Sequence, residues 1–494
     1  MNYEAMEQLY TAEQTRALDR AAIESGIPGI TLMARAAHAA FDCLQSQWPD
    51  AAQVQVLCGT GNNGGDGFLL ADIAHKRGLQ VTVLQLGDPG KIGGDALMAR
   101  KQALANGVQM QPFDGAIVPL GLVVDAMLGT GLGGEVRGSY IDAIAQVNGL
   151  GLPVLALDIP SGLCSDTGRV LGVAVRADVT ISFIGLKRGL LTANGPDCCG
   201  EIQFAGLEVP ADVIDALPSS ALRLDLEVLL EQLPLRPAAS HKGMFGNVLV
   251  MGGDYGMAGA AIMAAEAALR CGAGLVRVAT RPEHVAAVVA RMPEAMARGI
   301  HSSLDLLAMV DEANVLVVGP GLGQSEWSEQ MLQVAADSDK TLILDADALN
   351  LLAQNRGIKA APRPNWIITP HPGEAARLLG QSNAQVQKDR FAAATALQNT
   401  YGGVAVLKGN GTLVRSAEST LLCDYGNPGM ASGGMGDVLS GVLGSLVAQG
   451  LSLTDAAALG VSLHAAAADI AAVEEGERGL LATDLIAPMR ALLG

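Results

Sequence analysis

The sequence predicts an α/β protein built from two parallel-sheet domains, and three observations carry that expectation. The chain has 494 residues, more than one hydrophobic core usually sustains. Half of the residues are hydrophobic, only 3% are aromatic and 61 are glycine, a mixture that suits short strands alternating with closely packed helices. Apolar runs of strand length alternate with helix-like segments almost throughout, the pattern of strands joined by crossover helices.

In the first half, strands are expected at residues 54–58, 81–86, 122–126 and 154–158, with helices at 66–77 and 95–105. Around residues 210–240 the alternation breaks. Pro210, Pro218, Pro234 and Pro237 punctuate a stretch with one short amphipathic segment, and the linker is assigned there. The pattern restarts with strands at 247–251, 275–280, 315–319, 341–345, 366–369 and 404–408. The domains are drawn as 1–218 and 219–494. No short period repeats and the halves share no motif, so two different domains are expected, not a duplication.

The formal net charge of −18 repels phosphate backbones and anionic lipid, which argues against nucleic acid or a membrane as partner. Phosphorylated small ligands remain compatible, because backbone amides hold phosphate without side-chain charge. The seven cysteines are odd in number and scattered, with no C-x-x-C pair, as expected of free thiols in a reducing compartment. Residues 1–16 are polar and acidic, unlike a signal peptide. The Ala-rich stretch 456–468, interrupted by His464, falls short of membrane-spanning length. A cytoplasmic protein is expected.

Immediately after the 54–58 strand comes Gly59-Thr60-Gly61-Asn62-Asn63-Gly64-Gly65-Asp66-Gly67. Its glycines permit close backbone approach, and a following helix offers unpaired amides to an anion. Gly59, Gly61 and Gly64 fit G-x-G-x-x-G, which keeps a dinucleotide-dependent dehydrogenase among the readings. The next strand ends without an acidic residue for ribose, Asp88 arriving late. Two more strand ends carry Asp125-Ala126-Met127-Leu128-Gly129-Thr130-Gly131-Leu132 and Leu157-Asp158-Ile159-Pro160-Ser161-Gly162. In a parallel sheet these loops converge on one crevice. Asn63, Asp125 and Ser161 then offer hard oxygen ligands to a simple cation, while Asp125 and Asp158 equally suit turn or helix caps.

These three motifs, in this order over residues 8–218, resemble the NAD(P)H-hydrate epimerase domain, which is Rossmann-like. The resemblance implies that Asn62, Asn63, Gly64, Gly65, Asp66, Gly129, Thr130, Gly131, Leu132, Gly133, Gly134, Glu135, Tyr140 and Asp158 contact the damaged nucleotide. It also implies that Asn63, Asp125 and Ser161 bind K+. The implied chemistry interconverts the R and S hydroxyl configurations at C6 of the hydrated ring, with Asp158 as the candidate acid/base.

In the second half, Ala431-Ser432-Gly433-Gly434-Met435-Gly436-Asp437-Val438-Leu439-Ser440-Gly441 combines glycines with an Asp at the head of an apolar helix. Such amides stabilise charge on a transferred phosphoryl group, and the Asp can take a proton from an attacking hydroxyl. A Gly-rich loop ending in a helix-capping Asp is the plainer alternative. Upstream, Lys408-Gly409-Asn410-Gly411-Thr412 turns sharply after a strand, and Thr369-Pro370-His371-Pro372-Gly373-Glu374 sets a His at a strand end between two prolines. Gly319-Pro320-Gly321-Leu322-Gly323 ends another strand. His241-Lys242-Gly243 offers positive charge to phosphates or, equally, a solvated lysine.

This set, over residues 222–493, resembles the ribokinase-like superfamily and, within it, the NAD(P)H-hydrate dehydratase branch. Sugar kinases of this fold usually carry Ala where Met435 stands, so this site departs from theirs. The resemblance implies that Lys408, Gly409, Asn410, Gly411, Thr412 and Gly436 bind ADP or ATP with Mg2+, and that Ala260, Gly321, Gly323, His371 and Asp437 contact the hydrate. By the implied mechanism, Asp437 activates the C6 hydroxyl for phosphorylation, and phosphate leaves where hydroxide could not. Fusion lets both epimers be repaired, since that branch accepts only the S form. The family also implies a homo-oligomer. A small-molecule kinase with an accessory first domain is the alternative reading; a non-catalytic first domain, like relatives in RNA-processing proteins, is another.

Overall fold

The computed structural model describes Met1 and residues 3–494. The chain folds as two compact units, Gln8–Ala221 and Leu222–Gly494, the second taking in Met1–Glu7 as well. The division therefore falls three residues beyond the expected 218/219 boundary, and the first seven residues join the second unit. They are tied there by polar contacts that periodicity does not register: the Met1 ammonium and the Tyr3 hydroxyl both bond Asp455, at 3.0 and 2.7 Å, and Glu7 pairs with Arg223. The proline-rich stretch 210–240 is more structured than a linker, with helices Ala211–Asp215 and Leu226–Glu231 flanking the short strand Ala221–Arg223.

The first unit holds a seven-stranded, all-parallel sheet. Across it run Gln109–Pro112, Gln80–Gln85, Gln53–Cys58, Leu122–Ala126, Val154–Leu157, Val179–Phe183 and Glu201–Ala205. The chain starts in the middle, builds outward, then returns to build the other side, the doubly wound order whose reversal opens a crevice at the strands' carboxyl ends. Val54, Val56 and Cys58 face one core, with helices Gly29–Gln47, Asn62–Lys76 and Gly94–Ala105; Leu57 faces another, with Ser139–Leu150. A strand buried on both faces reads as a near-continuous apolar run, broken here by Gln55, whose side-chain amide donates to the Val118 and Leu120 carbonyls. Three strands of this sheet, at 109–112, 179–183 and 201–205, were not anticipated; the first and last are edge strands with exposed or half-buried residues. The parallel pair Leu9–Leu186 and Tyr10–Lys187 is a further addition.

In the second unit the strand order is Met296–Gly299, Leu275–Thr280, Asn247–Met251, Val315–Val318, Thr341–Leu344, Trp366–Ile368, Val404–Leu407, Thr412–Arg415, Thr420–Cys423 and Ala221–Arg223. Only the pairings on either side of Thr412–Arg415 are antiparallel. All six expected strands are present within a residue or two. Helices Ala258–Arg270, Met435–Ala448, Leu453–Glu475 and Ile486–Leu492 share one large apolar core. Leu453–Glu475 corrects one expectation: the Ala-rich stretch belongs to a 23-residue helix, long and apolar enough to cross a membrane. With 78% of its apolar window buried inside the protein, its apolarity is accounted for by the core. The seven cysteines are all free, and only Cys164 is not fully buried.

The helices Ala258–Arg270 and Met435–Ala448 approach each other closely because Gly441 has no side chain. A Cβ there would collide with the Ala264 carbonyl oxygen, a backbone atom that cannot swing aside. Gly441→Val should therefore destabilise the second unit by about 1–3 kcal/mol through overpacking. Thermal unfolding followed by circular dichroism should register this as a lower midpoint, and an unchanged midpoint would show that the helix pair can spread at no cost.

Two candidate active sites

In the first unit the Gly-rich segment is not a loop followed by a helix at 66, as expected. Gly61 caps a helix that already begins at Asn62, so Asn62 to Asp66 form its first turns. Tertiary packing overrides glycine's poor helix propensity here: Gly67 lies against Cys58 and Ala126, and Gly64 against Gly59, with no room for a Cβ. The helix start thereby reaches into a cavity of about 530 Å3 at the carboxyl ends of the central strands. Asn62, Asn63, Asp66, Gly129, Thr130, Gly131, Leu132, Gly133 and Asp158 line it together. Gly64 and Gly65 pack behind them. Gly134, Glu135 and Tyr140 lie outside that lining, although the Tyr140 hydroxyl bonds Thr60, which is part of it.

Asp158 sits just past its strand with φ at 67°, left-handed backbone that costs a non-glycine residue on the order of 1 kcal/mol. Its Oδ1 is held by the ammonium of Lys187, a completely buried lysine, and lies 3.4 Å from the Phe183 amide. Lys187 also donates to Ser182 Oγ at 3.1 Å and to the Phe183 carbonyl at 2.9 Å. Asp19, on helix Ala12–Glu24, lines the same cavity; burial and then the Asp158 charge push its carboxyl up to about 6. Asp66 is raised well above the usual range by burial, with Asp158 and Asp19 adding to the effect. Neither Lys187 nor Asp19 was anticipated. Lys187 ends an apolar run and Asp19 reads as the polar face of an amphipathic helix, so sequence pattern offered no signal for either.

Behind this wall, Asp125 is fully buried and accepts from the Ser161 amide at 2.7 Å, the Ser161 hydroxyl at 2.6 Å and the Met127 amide at 3.2 Å. Burial still pushes it up to about 6. Both polar atoms of the Asn63 side chain are buried with no partner. Asp88 caps a short 3-10 turn by accepting from the Gly90 amide.

In the second unit, the loops after Asn247–Met251 and Val315–Val318 are zipped together. The Gly253 amide donates to the Pro320 carbonyl at 3.0 Å and the Asp254 amide to Gly321 at 2.7 Å. Ala260 packs against Gly321, and Gly323 lies beside Asp254. Met435–Ala448 opens with Gly434 as its N-cap, so Gly436 and Asp437 occupy its first turn, where amides lack intrahelical partners. Burial, and then the charge of Asp345, push the Asp437 carboxyl up to about 7; Lys408 opposes this and Asp347 adds to it.

Asp345 is the unanticipated centre of this site. Fully buried, it accepts from Lys408 Nζ at 2.7 Å, Thr369 Oγ1 at 2.8 Å and Ser440 Oγ at 3.0 Å, bonds that hold it below the usual carboxylate range against the penalty of burial. His371 is half-exposed and caps helix Pro372–Leu379: its Nδ1 accepts from the Gly373 amide at 3.0 Å, while Glu374 accepts from the His371 amide at 2.8 Å. Burial and the nearby Lys408 lower its pKa. Lys408 to Gly411 form the turn between Val404–Leu407 and Thr412–Arg415, and the buried guanidinium of Arg390 props that turn through the carbonyls of Leu407, Lys408 and Gly411 at 3.1–3.3 Å. His241 and Lys242, in contrast, are exposed at the amino end of strand Asn247–Met251, the wrong end of the sheet for this site.

The fold and these two sites define a two-domain α/β enzyme, with a carboxyl-lined cavity in one unit and, in the other, a helix start whose first-turn amides lack intrahelical partners beside a raised Asp437. Residues 248–490 match the NAD(P)H-hydrate dehydratase family and residues 29–189 the YjeF-related protein N-terminus. The chain is 49% identical over 490 residues to the bifunctional NAD(P)H-hydrate repair enzyme Nnr of Coxiella burnetii, covering 99% of this chain and 100% of that one. It is 44% identical over 487 residues to the Escherichia coli enzyme of the same name, covering 98% and 93%. A solved ribokinase-like superfamily protein of Enterococcus faecalis, 31% identical with a TM-score of 0.50, covers 55% of this chain and 94% of its own. The chain belongs to the family of bifunctional NAD(P)H-hydrate repair enzymes.

Arg390→Met should remove the support under the 408–411 turn. A hydrogen bond to a charged group contributes about 1.5–3 kcal/mol, so amide hydrogen exchange at residues 409–412 should accelerate at least tenfold. Unchanged protection would mean that the hairpin holds its own shape.

Proposed function

We propose that the first unit interconverts R- and S-NAD(P)HX and that the second dehydrates the S form to NAD(P)H, consuming ADP or ATP and releasing phosphate. The observation that supports this most is Asp437: a half-buried carboxyl, poised near neutrality, in the first turn of a helix whose free amides adjoin Gly436 and the Lys408 ammonium. Hydroxide is a poor leaving group. Asp437 takes the proton of the C6 hydroxyl, whose oxygen attacks the terminal phosphoryl group held by the helix amides and Lys408, breaking its bond to the bridging oxygen and releasing AMP or ADP. Phosphate then departs with the C6–O electron pair as the ring nitrogen donates its own. Loss of a proton from C5 restores the C5–C6 double bond. The 408–412 turn, propped by Arg390, is the surface for the nucleotide, while Ala260, Gly321, Gly323 and His371 are the hydrate's contacts. Asp345 is already occupied by Lys408, Thr369 and Ser440. Mg2+ would thus be carried chiefly by the nucleotide phosphates, as this ion commonly is.

In the first unit, Asn63, Asp125 and Ser161 suit K+: an orphaned amide oxygen, a buried carboxyl and a hydroxyl are all hard donors. Bound there, the ion would neutralise Asp125 and pin the loops that carry Asn63 and Ser161. Asp158 is the acid/base at the hydrate. We further propose that the protein works as a cytoplasmic homo-oligomer.

The decisive experiment supplies mixed R- and S-NADHX with Mg2+ and ADP, ATP or no nucleotide, and follows the return of reduced-nicotinamide absorbance. Complete recovery is expected only with nucleotide, and faster than spontaneous epimerisation. A plateau at the S fraction would remove the epimerase role, and no recovery with either nucleotide would remove the dehydratase. Asp437→Asn should lower kcat for S-NADHX by about 10²–10⁴-fold, with nucleotide binding kept. In the wild type, Asp437 must be deprotonated to act. Dehydration should therefore fall as pH drops below about 7, and a limb placed instead at an ordinary carboxylate pKa would sink the base assignment. Replacing K+ by tetramethylammonium should lower the thermal midpoint of the wild type. In Asn63→Leu, the two salts should give the same midpoint.

A further inference from the structure

We propose that Asp19 is the acid partner of Asp158 in the first unit's cavity. In this arrangement Asp158 accepts the proton of the C6 hydroxyl while Asp19 delivers one to the ring nitrogen, so the ring opens and recloses with either configuration. The inference rests on reading that unit as the epimerase.

The geometry points to Asp19 in two ways. Helix Ala12–Glu24 turns Thr15, Arg16, Asp19 and Ile23 toward the cavity that Asp158 also lines. The two carboxyls also stand in contrasting surroundings. Asp158 is bonded through Oδ1 to a buried ammonium, which suits a proton acceptor. The Asp19 carboxyl makes no hydrogen bond or ion pair with the described residues, and burial beside Asp158 raises it to about 6, which suits a proton donor. Two carboxyls of one site in different surroundings are the usual basis for dividing acid and base roles. The charged groups around Asp19 are Asp158, Asp66 and Lys187 from the sheet side, Arg16 and Arg20 on its own helix, and Asp95 elsewhere in the lining.

The step balances without an oxidant or co-reactant. Asp158 takes the hydroxyl proton, and the O–H pair becomes the second bond of a C6 aldehyde. The C6–N bond breaks, its pair going to nitrogen, which takes the proton of Asp19. Rotation about C5–C6 presents the other face. Nitrogen then attacks the carbonyl and returns its proton to Asp19, while Asp158 returns its own to oxygen.

The test uses the full-length enzyme with purified R-NADHX and saturating nucleotide, so that the second unit reports each S molecule formed. S-NADHX given to the same preparation controls for folding and concentration. Asp19→Asn should lose about 100-fold or more in kcat for the R form. Its KM should stay within about threefold of the wild-type value. Wild-type epimerisation should fall as pH rises above about 6, where Asp19 loses its proton. Asp19→Glu should restore part of the rate together with that alkaline limb. Near-normal kcat in Asp19→Asn, an effect on KM alone, or an alkaline limb that survives the substitution would each overturn the proposal. Failure of the wild type to convert R-NADHX would overturn the epimerase reading instead, so the two failures are distinct.

Discussion

Both units depend on one topological constraint, the reversal of strand order in a parallel sheet. Crossover connections are right-handed, so a chain that begins in mid-sheet and builds first to one side and then to the other must send its helices to opposite faces. The loops leaving the two central strands then diverge, and a crevice is left at their carboxyl ends. In the first unit those strands are Gln53–Cys58 and Leu122–Ala126; in the second they are Asn247–Met251 and Val315–Val318. Close to each reversal the backbones nearly touch. A Cβ at Gly59 would strike the Met127 carbonyl oxygen, and one at Gly252 the Pro320 carbonyl oxygen. Glycine at these points is a packing requirement before it is a ligand-binding feature.

The crevices are then given their chemistry by how burial is compensated. Asp345 and Asp437 flank the same Lys408, yet their carboxyls move in opposite directions. Asp345 has a direct ammonium contact and two hydroxyl donors, enough to outweigh desolvation. Asp437 has no such direct bond, so burial and the Asp345 charge leave it near neutrality. One residue is thereby a fixed charge that orients the lysine, and the other a group able to exchange protons at physiological pH. In the first unit the partners again differ, Asp158 being bonded to Lys187 and the Asp19 side chain having no hydrogen-bond partner among the described residues, but there both carboxyls exchange protons in the proposed reaction.

Much of this was legible in the chain. The apolar runs at 54–58, 122–126, 247–251 and 315–319 located the central strands because strands covered on both faces are mostly hydrophobic, even with Gln55, Asp125 and Asn247 among their residues. Edge strands such as Gln109–Pro112, part polar and mostly exposed, carried no such mark. Glycine-rich motifs next to apolar runs marked the crevice loops, including Asn63, Asp158, Gly321 and Asp437. Residues whose role depends on distant partners were not legible. Arg390 sits far in sequence from the carbonyls it props, and Lys187 lies 29 residues from Asp158.

By itself, then, the sequence determined the α/β class, the two-domain organisation, the central strands and the loop motifs, because apolar periodicity and glycine clusters are local properties. It also carried the resemblance that named the chemistry. Tertiary structure alone decided that the Asn62–Asp66 segment is helical, that Met1–Glu7 belong to the second unit, and that the Leu453–Glu475 helix is a core element. It alone decided which carboxyls are pushed up and which are held down. Desolvation and ion pairing are set by what packs around a group in space, and no local stretch of sequence encodes that.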